Sequence, residues 1–372
     1  MKRFDVAIIG AGVLGLAHAY TAAKRGLKVA VFERSPMAEG ASVRNFGMIW
    51  TVGQWGTPLA EVAQNSNRLW RELLADSEIW HDPCGSLTLT YHDDELQVAK
   101  EFVAMADDPT VRLVQPAEVA SLAPSVLQQR LLGGIFSERE VHVDPRDAIA
   151  KLPTYLAQKF GVEFFWSSCV TQVESGSIVA GGQNWQADQI VVCSGHDYET
   201  LFPEHFSNSN LGRCKLQMLR AIPKGNWRIG PMLCAGLTLL HYKNFASCPS
   251  LDLVRQRYEE THPQHMAWGV HLLVSQHETG ELVIGDSHEY GPAISPFNLD
   301  SVDQLILNYL NTFLPVTDID VTLRWHGVYS TFDEQVYEAE VLPSVHIVTG
   351  VGGAGMTMSM GLGERTLAKI AR

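Results

Sequence analysis

The sequence predicts an α/β fold on three observations: a βαβ unit near the start, the glycine spacing G-x-G-x-x-G inside it, and a second glycine-rich turn before a terminal helix. Asp5 to Ile9 is a short β-branched run, Val13 to Arg25 reads as a helix closed by Gly26, and Lys28 to Phe32 is a second buried strand. Gly10, Gly12 and Gly15 between strand and helix permit a tight turn, close approach of a pyrophosphate and close helix packing. Glu33, ending the second strand, is placed to accept from ribose hydroxyls. This context predicts dinucleotide binding, with the diphosphate on the helix N-terminus. His265 to Val274, Glu281 to Ile284 and Val321 to Arg324 read as further strands, and Leu299 to Phe313 has helical spacing. Gly350, Gly352, Gly353 and Gly355 would let backbone approach a flat ring, with helix Met356 to Ile370 aiming its N-terminus there.

Composition narrows the partners. The 372 residues suffice for two domains, and 46% hydrophobic with 19% charged residues is a globular profile. A net charge of −13 argues against a nucleic-acid partner. Six scattered cysteines without a C-x-x-C pair fit a reduced compartment, and no metal site is expected. With no apolar run of membrane-spanning length and no cleavable leader pattern, the expected location is the cytoplasm, with no membrane partner.

Several stretches in order resemble the D-amino-acid oxidase, glycine oxidase and sarcosine oxidase group of FAD-dependent oxidoreductases. Gly40 to Met48 (GASVRNFGM) resembles its flavin-wrapping segment, Trp80 to Thr90 its G-x-L strand, and Glu118 to Pro145 its linker back to the flavin domain. Val162 to Val173 and Ala187 to Gly195 are similar to its adenine-side and return strands, and His346 to Leu367 to its terminal strand, glycine loop and helix. The resemblance implies a Rossmann-type FAD-binding domain at 1–80, 140–210 and 325–372, interleaved with an antiparallel-sheet α+β substrate domain at 81–139 and 211–324. It also implies non-covalent FAD held by Gly10, Gly12, Gly15, Glu33, Arg34, Ser42, Asn45, Gly47, Met48, Val170, Gly195, Gly352, Gly353, Gly355, Met356 and Thr357. The implied chemistry is hydride removal from the carbon beside a small amine, with oxygen or another electron acceptor, by a monomer or homodimer.

The sequence departs from those relatives at the substrate anchors. In Trp325 to Asp333 (WHGVYSTFD), Tyr329 stands where amino-acid oxidases carry a carboxylate-binding arginine, and Gly327 where sarcosine oxidases carry the flavin-linked cysteine. Met356 matches the position of the lysine in the terminal glycine loop with which sarcosine oxidases bind the carboxylate. Arg44 is the replacement anion anchor by this reading, contact to a FAD phosphate or a surface acid being the alternative. Tyr329 is a second substrate ligand, and His271 and His326 are further candidates. The flavin-wrapping segment is similar to that of a bacterial subgroup associated with aminophosphonate breakdown, which points to 2-aminoethylphosphonate or its N-methyl derivative. Glycine, sarcosine or D-amino-acid oxidation, and a flavin subunit of an electron-transferring complex, are the alternatives. No second dinucleotide fingerprint supports an NAD(P)H-dependent hydroxylase, and Gly285-Asp286-Ser287-His288 reads as a turn.

Overall fold

The computed structural model describes residues 2–370. Its first unit forms where the spacing places it: strand Arg3–Ile9, helix Val13–Lys24, and strand Val29–Phe32 lying parallel to the first. Gly10 has φ +100°, and a Cβ there would lie 2.5 Å from the Cys193 carbonyl oxygen. At Gly15 a Cβ would lie 1.9 Å from the Gly10 carbonyl oxygen, so the helix can approach the turn only because that residue has no side chain. Every residue from Val13 to Ala23 is buried, because helices Gly355–Ile370 and Pro145–Phe160 pack against it.

Five parallel strands form the spine of the first sheet, in the order Glu163–Phe165, Val29–Phe32, Arg3–Ile9, Gln183–Val192, Val345–Thr349. Antiparallel strands Val170–Glu174, Ser177–Ala180 and Tyr337–Leu342 extend it. The second sheet has nine strands, built around Gly212–Pro223. That strand pairs antiparallel with Leu282–Gly285, with Glu289–Gly291 and, along its whole length, with Ile319–Thr331. A bridge between Thr331 and Val351 then joins the end of Ile319–Thr331 to the terminal glycine loop. A third, three-stranded sheet joins Met48–Ile49, Val141–Val143 and His81–Asp82. Among the described residues no helix is long and apolar enough to cross a membrane.

Four expectations need correction. The second sheet is not wholly antiparallel, since Met232–Ala235 runs parallel to Ser86–Thr90. Only the end of His265–Val274 is a strand: Pro263 starts a short helix, Pro263–Ala267, Gly269 turns the chain at φ +55°, and the strand begins at Leu273. A division at 324/325 falls inside the single strand Ile319–Thr331. The stretch read as a turn at 285–288 does not reverse the chain, because Leu282–Gly285 before it and Glu289–Gly291 after it both pair antiparallel with Gly212–Pro223.

Candidate functional site

A cavity of about 1160 Å³ lies between the first two sheets, lined by Ile9 and Phe32 of one and Leu216, Leu273 and Val328 of the other. Its lining brings together most of the candidate residues: Gly10, Gly12, Glu33, Arg34, Ser42, Arg44, Asn45, Met48, Val170, Gly195, His271, Tyr329, Gly352, Gly353, Gly355, Met356 and Thr357. Gly15 and Gly47 do not line it. Both are set by close packing instead, a Cβ at Gly47 lying 1.8 Å from the Val143 carbonyl oxygen.

The first-sheet end of the cavity is a prepared anion and ribose site. The N-terminus of helix Val13–Lys24 opens onto it, and the Val13 N–H donates to Ser42 Oγ at 2.9 Å. The Glu33 carboxylate accepts from the Ala11 N–H at 2.9 Å and the Ser35 N–H at 3.0 Å, tying the glycine turn to the end of the second strand. Arg34 is held by Asp197 across the rim at 2.5 Å. Asn45 spends its side chain on its own loop, donating to the Ala41 and Ser42 carbonyls and accepting from the Gly47 N–H. Thr357 accepts from the Trp50 N–H at 2.9 Å, fixing the chain just after Met48 against the terminal helix.

At the other end, Cβ atoms placed on Gly352 and Gly353 would come no closer than 3.9 Å to any protein atom, the nearest being the Tyr329 ring. The backbone there leaves space for a flat group that side chains would occupy. The glycine turn, the free helix N-terminus, the carboxylate of Glu33 and this open cradle together fit FAD.

The remaining wall is rich in imidazoles and phenols. His241, His271 and His288 come together with Tyr242, Tyr290 and Tyr329. His271 N–H and Asp286 C=O, with Asp286 N–H and His271 C=O, pair the two bends through the backbone at 3.2 and 2.8 Å. Burial pushes the Asp286 carboxyl well above its ordinary range and pulls His271 and His241 well below theirs, each histidine further lowered by the neighbouring rings. His288 is lowered by burial to about 4. Burial thus disfavours the charged form of each of these groups, a setting in which an uncharged amine can be held.

Three cationic side chains border the cavity: Arg34, Arg44 and Lys243. Arg44 donates to the His326 carbonyl at 3.3 Å and packs against Gly327, whose would-be Cβ lies 3.5 Å from Arg44 Cβ. His326 contacts Asn298 at 3.0 Å and also lines the cavity. Lys243 donates to the Asp333 carbonyl at 3.0 Å.

Sequence reasoning missed His241, Lys243, Asp286 and His288. A signal was present for two of them: Asp286 and His288 are two apart after a strand, so both side chains point to one face. His241 ends a short helix and Lys243 lies two residues beyond it, with nothing local to mark them.

Comparisons with known proteins agree with this geometry. The family described as FAD dependent oxidoreductase matches residues 5–369. Glycine oxidase of Bacillus licheniformis is 26% identical over 206 residues, 52% of this chain and 54% of that protein. The chain thus spans about half the length of such curated relatives. The solved structure of glycine oxidase from Geobacillus kaustophilus superposes over 100% of this chain and 95% of its own, with a TM-score of 0.79 at 18% identity. That of L-proline dehydrogenase from P. horikoshii covers 99% of this chain and 93% of its own, with a TM-score of 0.80 at 17% identity.

Proposed function

The chain belongs to the FAD-dependent oxidoreductase family, and from that premise we propose that it oxidises a small amine at the carbon next to nitrogen, giving an imine that water hydrolyses to a carbonyl compound. Bound FAD supplies the hydride acceptor. Gly10, Gly12 and the helix N-terminus hold its diphosphate, Glu33 its ribose, and Gly352, Gly353 and Gly355 face its ring. Gly327, at the position of the flavin-linked cysteine in sarcosine oxidases, keeps the attachment non-covalent. The single observation that carries the amine reading is the wall of His271, Tyr242 and Tyr329 in the same cavity as the glycine cradle. A site that keeps the amine uncharged and excludes water holds the nitrogen lone pair available while the C–H is oriented.

For the substrate we propose an aminoalkylphosphonate, 2-aminoethylphosphonate or its N-methyl derivative. Tyr329 and Met356 leave a planar carboxylate without the cations that the resembling enzymes supply. Arg44 and Lys243 border the cavity instead, and a guanidinium with a nearby phenol suits the several oxygens of a tetrahedral phosphonate. The reading places the enzyme in the cytoplasm, acting alone or as a homodimer with oxygen or another acceptor, and divides the chain into interleaved flavin and substrate domains whose last boundary follows strand Ile319–Thr331.

Steady-state turnover with a dye acceptor, comparing the two phosphonates with glycine, sarcosine and D-alanine, tests this reading. The phosphonates should have the highest kcat/KM and release an aldehyde that a hydrazine traps. Preference for glycine, sarcosine or a D-amino acid would overturn the phosphonate assignment and leave amine oxidation standing.

A further inference from the structure

The amine reading leaves one cluster in the cavity without a full account. His241, His271 and His288 each offer one ring nitrogen, and the three atoms lie within 4.8 Å of one another. They arrive from separate segments: the end of helix Leu237–His241, the bend before strand Leu273–Gln276, and the bend after strand Leu282–Gly285. His271 and Asp286 are almost fully buried, with side-chain exposures of 3% and 5%. Even so, His271 Nδ1 has no hydrogen-bond partner, and His271 Nε2 and Asp286 Oδ1 face only each other, at 3.3 Å. Buried polar atoms are nearly always satisfied, so the unpartnered His271 Nδ1 beside two further imidazoles marks the place of a missing group.

The chemistry of these atoms selects that group. Each imidazole offers a ring-nitrogen lone pair, and the Asp286 carboxyl stands beside them. An anion would find no fixed positive charge in this set. Three imidazole nitrogens around one point are the donors of a first-row divalent ion.

The surroundings are those of metal-bound histidines as well. His288 Nδ1 donates to the Gly269 carbonyl at 3.0 Å, which leaves Nε2 as its lone-pair nitrogen. Asp286 Oδ1 lies 3.3 Å from His271 Nε2, which leaves Nδ1 for a ligand. A carbonyl or carboxylate on the far nitrogen is the usual device that fixes the tautomer and orientation of a ligating imidazole. The His241 ring stacks on His271 at 3.9 Å and 27°, so it must turn for its lone pair to converge with the others. Its side chain borders the open cavity, which gives it room to do so.

We propose that His241, His271 and His288 bind one divalent transition-metal ion, zinc being best suited, with Asp286 orienting His271 and a remaining coordination position open to the cavity. Such an ion would offer the substrate anion a further cation beside Arg44 and Lys243. That last role rests on the proposed substrate; the ion itself does not.

The test uses the FAD-loaded full chain, freed of metal by dialysis against a chelator and titrated with Co²⁺, whose ligand-field absorption lies to the red of the flavin bands. One Co²⁺ per chain, displaced by Zn²⁺, is expected. His241→Ala and His288→Gln should each abolish tight binding, and Asp286→Asn should weaken it by about 10- to 100-fold, the usual effect of losing an outer partner of a ligand. His265→Ala, outside the cluster, should leave it unchanged. Retained flavin absorbance and far-ultraviolet circular dichroism confirm that each variant is folded. Absence of tight Co²⁺ or Zn²⁺ binding by the holoprotein, or binding that survives both His241→Ala and His288→Gln, would overturn the proposal. Neither readout depends on amine turnover.

Discussion

Glu33→Ala separates two jobs that the structure gives one carboxylate. Glu33 accepts from the Ala11 N–H at 2.9 Å and the Ser35 N–H at 3.0 Å, bracing the glycine turn before any cofactor arrives. A hydrogen bond to a charged group contributes about 1.5–3 kcal/mol when well buried. Glu33 is half-buried, so solvent screening reduces the two together to about 1–2 kcal/mol. That loss should appear in the apoprotein as a lower melting temperature or a lower denaturant midpoint. FAD binding adds the ribose hydroxyls as donors, so the variant should lose a further ~2–3 kcal/mol in cofactor affinity, on the order of 30- to 150-fold in Kd. Fluorescence titration of apoprotein with FAD measures the second term and thermal unfolding of apoprotein the first. Glu33→Gln, which keeps an acceptor oxygen without the charge, should fall between. An unchanged Kd with a lowered apoprotein stability would show that Glu33 only braces the loop and that the adenosine end is held elsewhere. No change in either would refute the bonding network itself.

Other perturbations read other parts of the site. Arg44→Met should lower kcat/KM for an anionic amine by on the order of 2–4 kcal/mol, the scale for losing a buried charge pair, with FAD retained; untouched kinetics with FAD lost would make Arg44 a cofactor ligand instead. Gly353→Val places its side chain in open space near the Tyr329 ring, so the fold should survive while FAD occupancy in the purified protein falls; full occupancy would mean that the loop does not approach the cofactor. His18 is buried in helix Val13–Lys24 with Nδ1 donating to the Leu14 carbonyl at 2.7 Å, and burial lowers its pKa from 6.5 to about 4. The unfolded chain therefore takes up this proton below pH 6.5 and the folded one only near pH 4, so stability falls as pH drops through that window, by up to about 3 kcal/mol from this residue. His18→Gln should flatten the slope of unfolding free energy between pH 6.5 and 4, and an unaltered slope would count against that account.

Much of the first sheet was legible because its signals are local. Gly10, Gly12 and Gly15 encode the turn within six residues, and Lys28 to Phe32 needs only its own hydrophobicity to read as a buried strand. The second sheet was less legible because its pairing joins distant segments. Nothing in the period-two pattern of Ser86–Thr90 says that its neighbour Met232–Ala235 runs parallel to it. His265 to Val274 misled because its apolar content hid Pro263, which sets a helix start, and Gly269, which ends it. The cavity wall was the least readable part. His241, His271, Asp286 and His288 meet through backbone pairing of two bends and a third short helix, and their burial exists only once the sheet is assembled. The residues proposed to face the flavin, by contrast, lie on turns whose shape their own glycines dictate.

The most direct test of the account is anaerobic mixing of the FAD-loaded protein with single compounds while flavin absorbance is followed by stopped flow. The account predicts that amines bleach the flavin, 2-aminoethylphosphonate or its N-methyl derivative fastest, and that glycerol 3-phosphate, which offers a phosphate but no nitrogen, does not. Bleaching by glycerol 3-phosphate with all amines inert would contradict it.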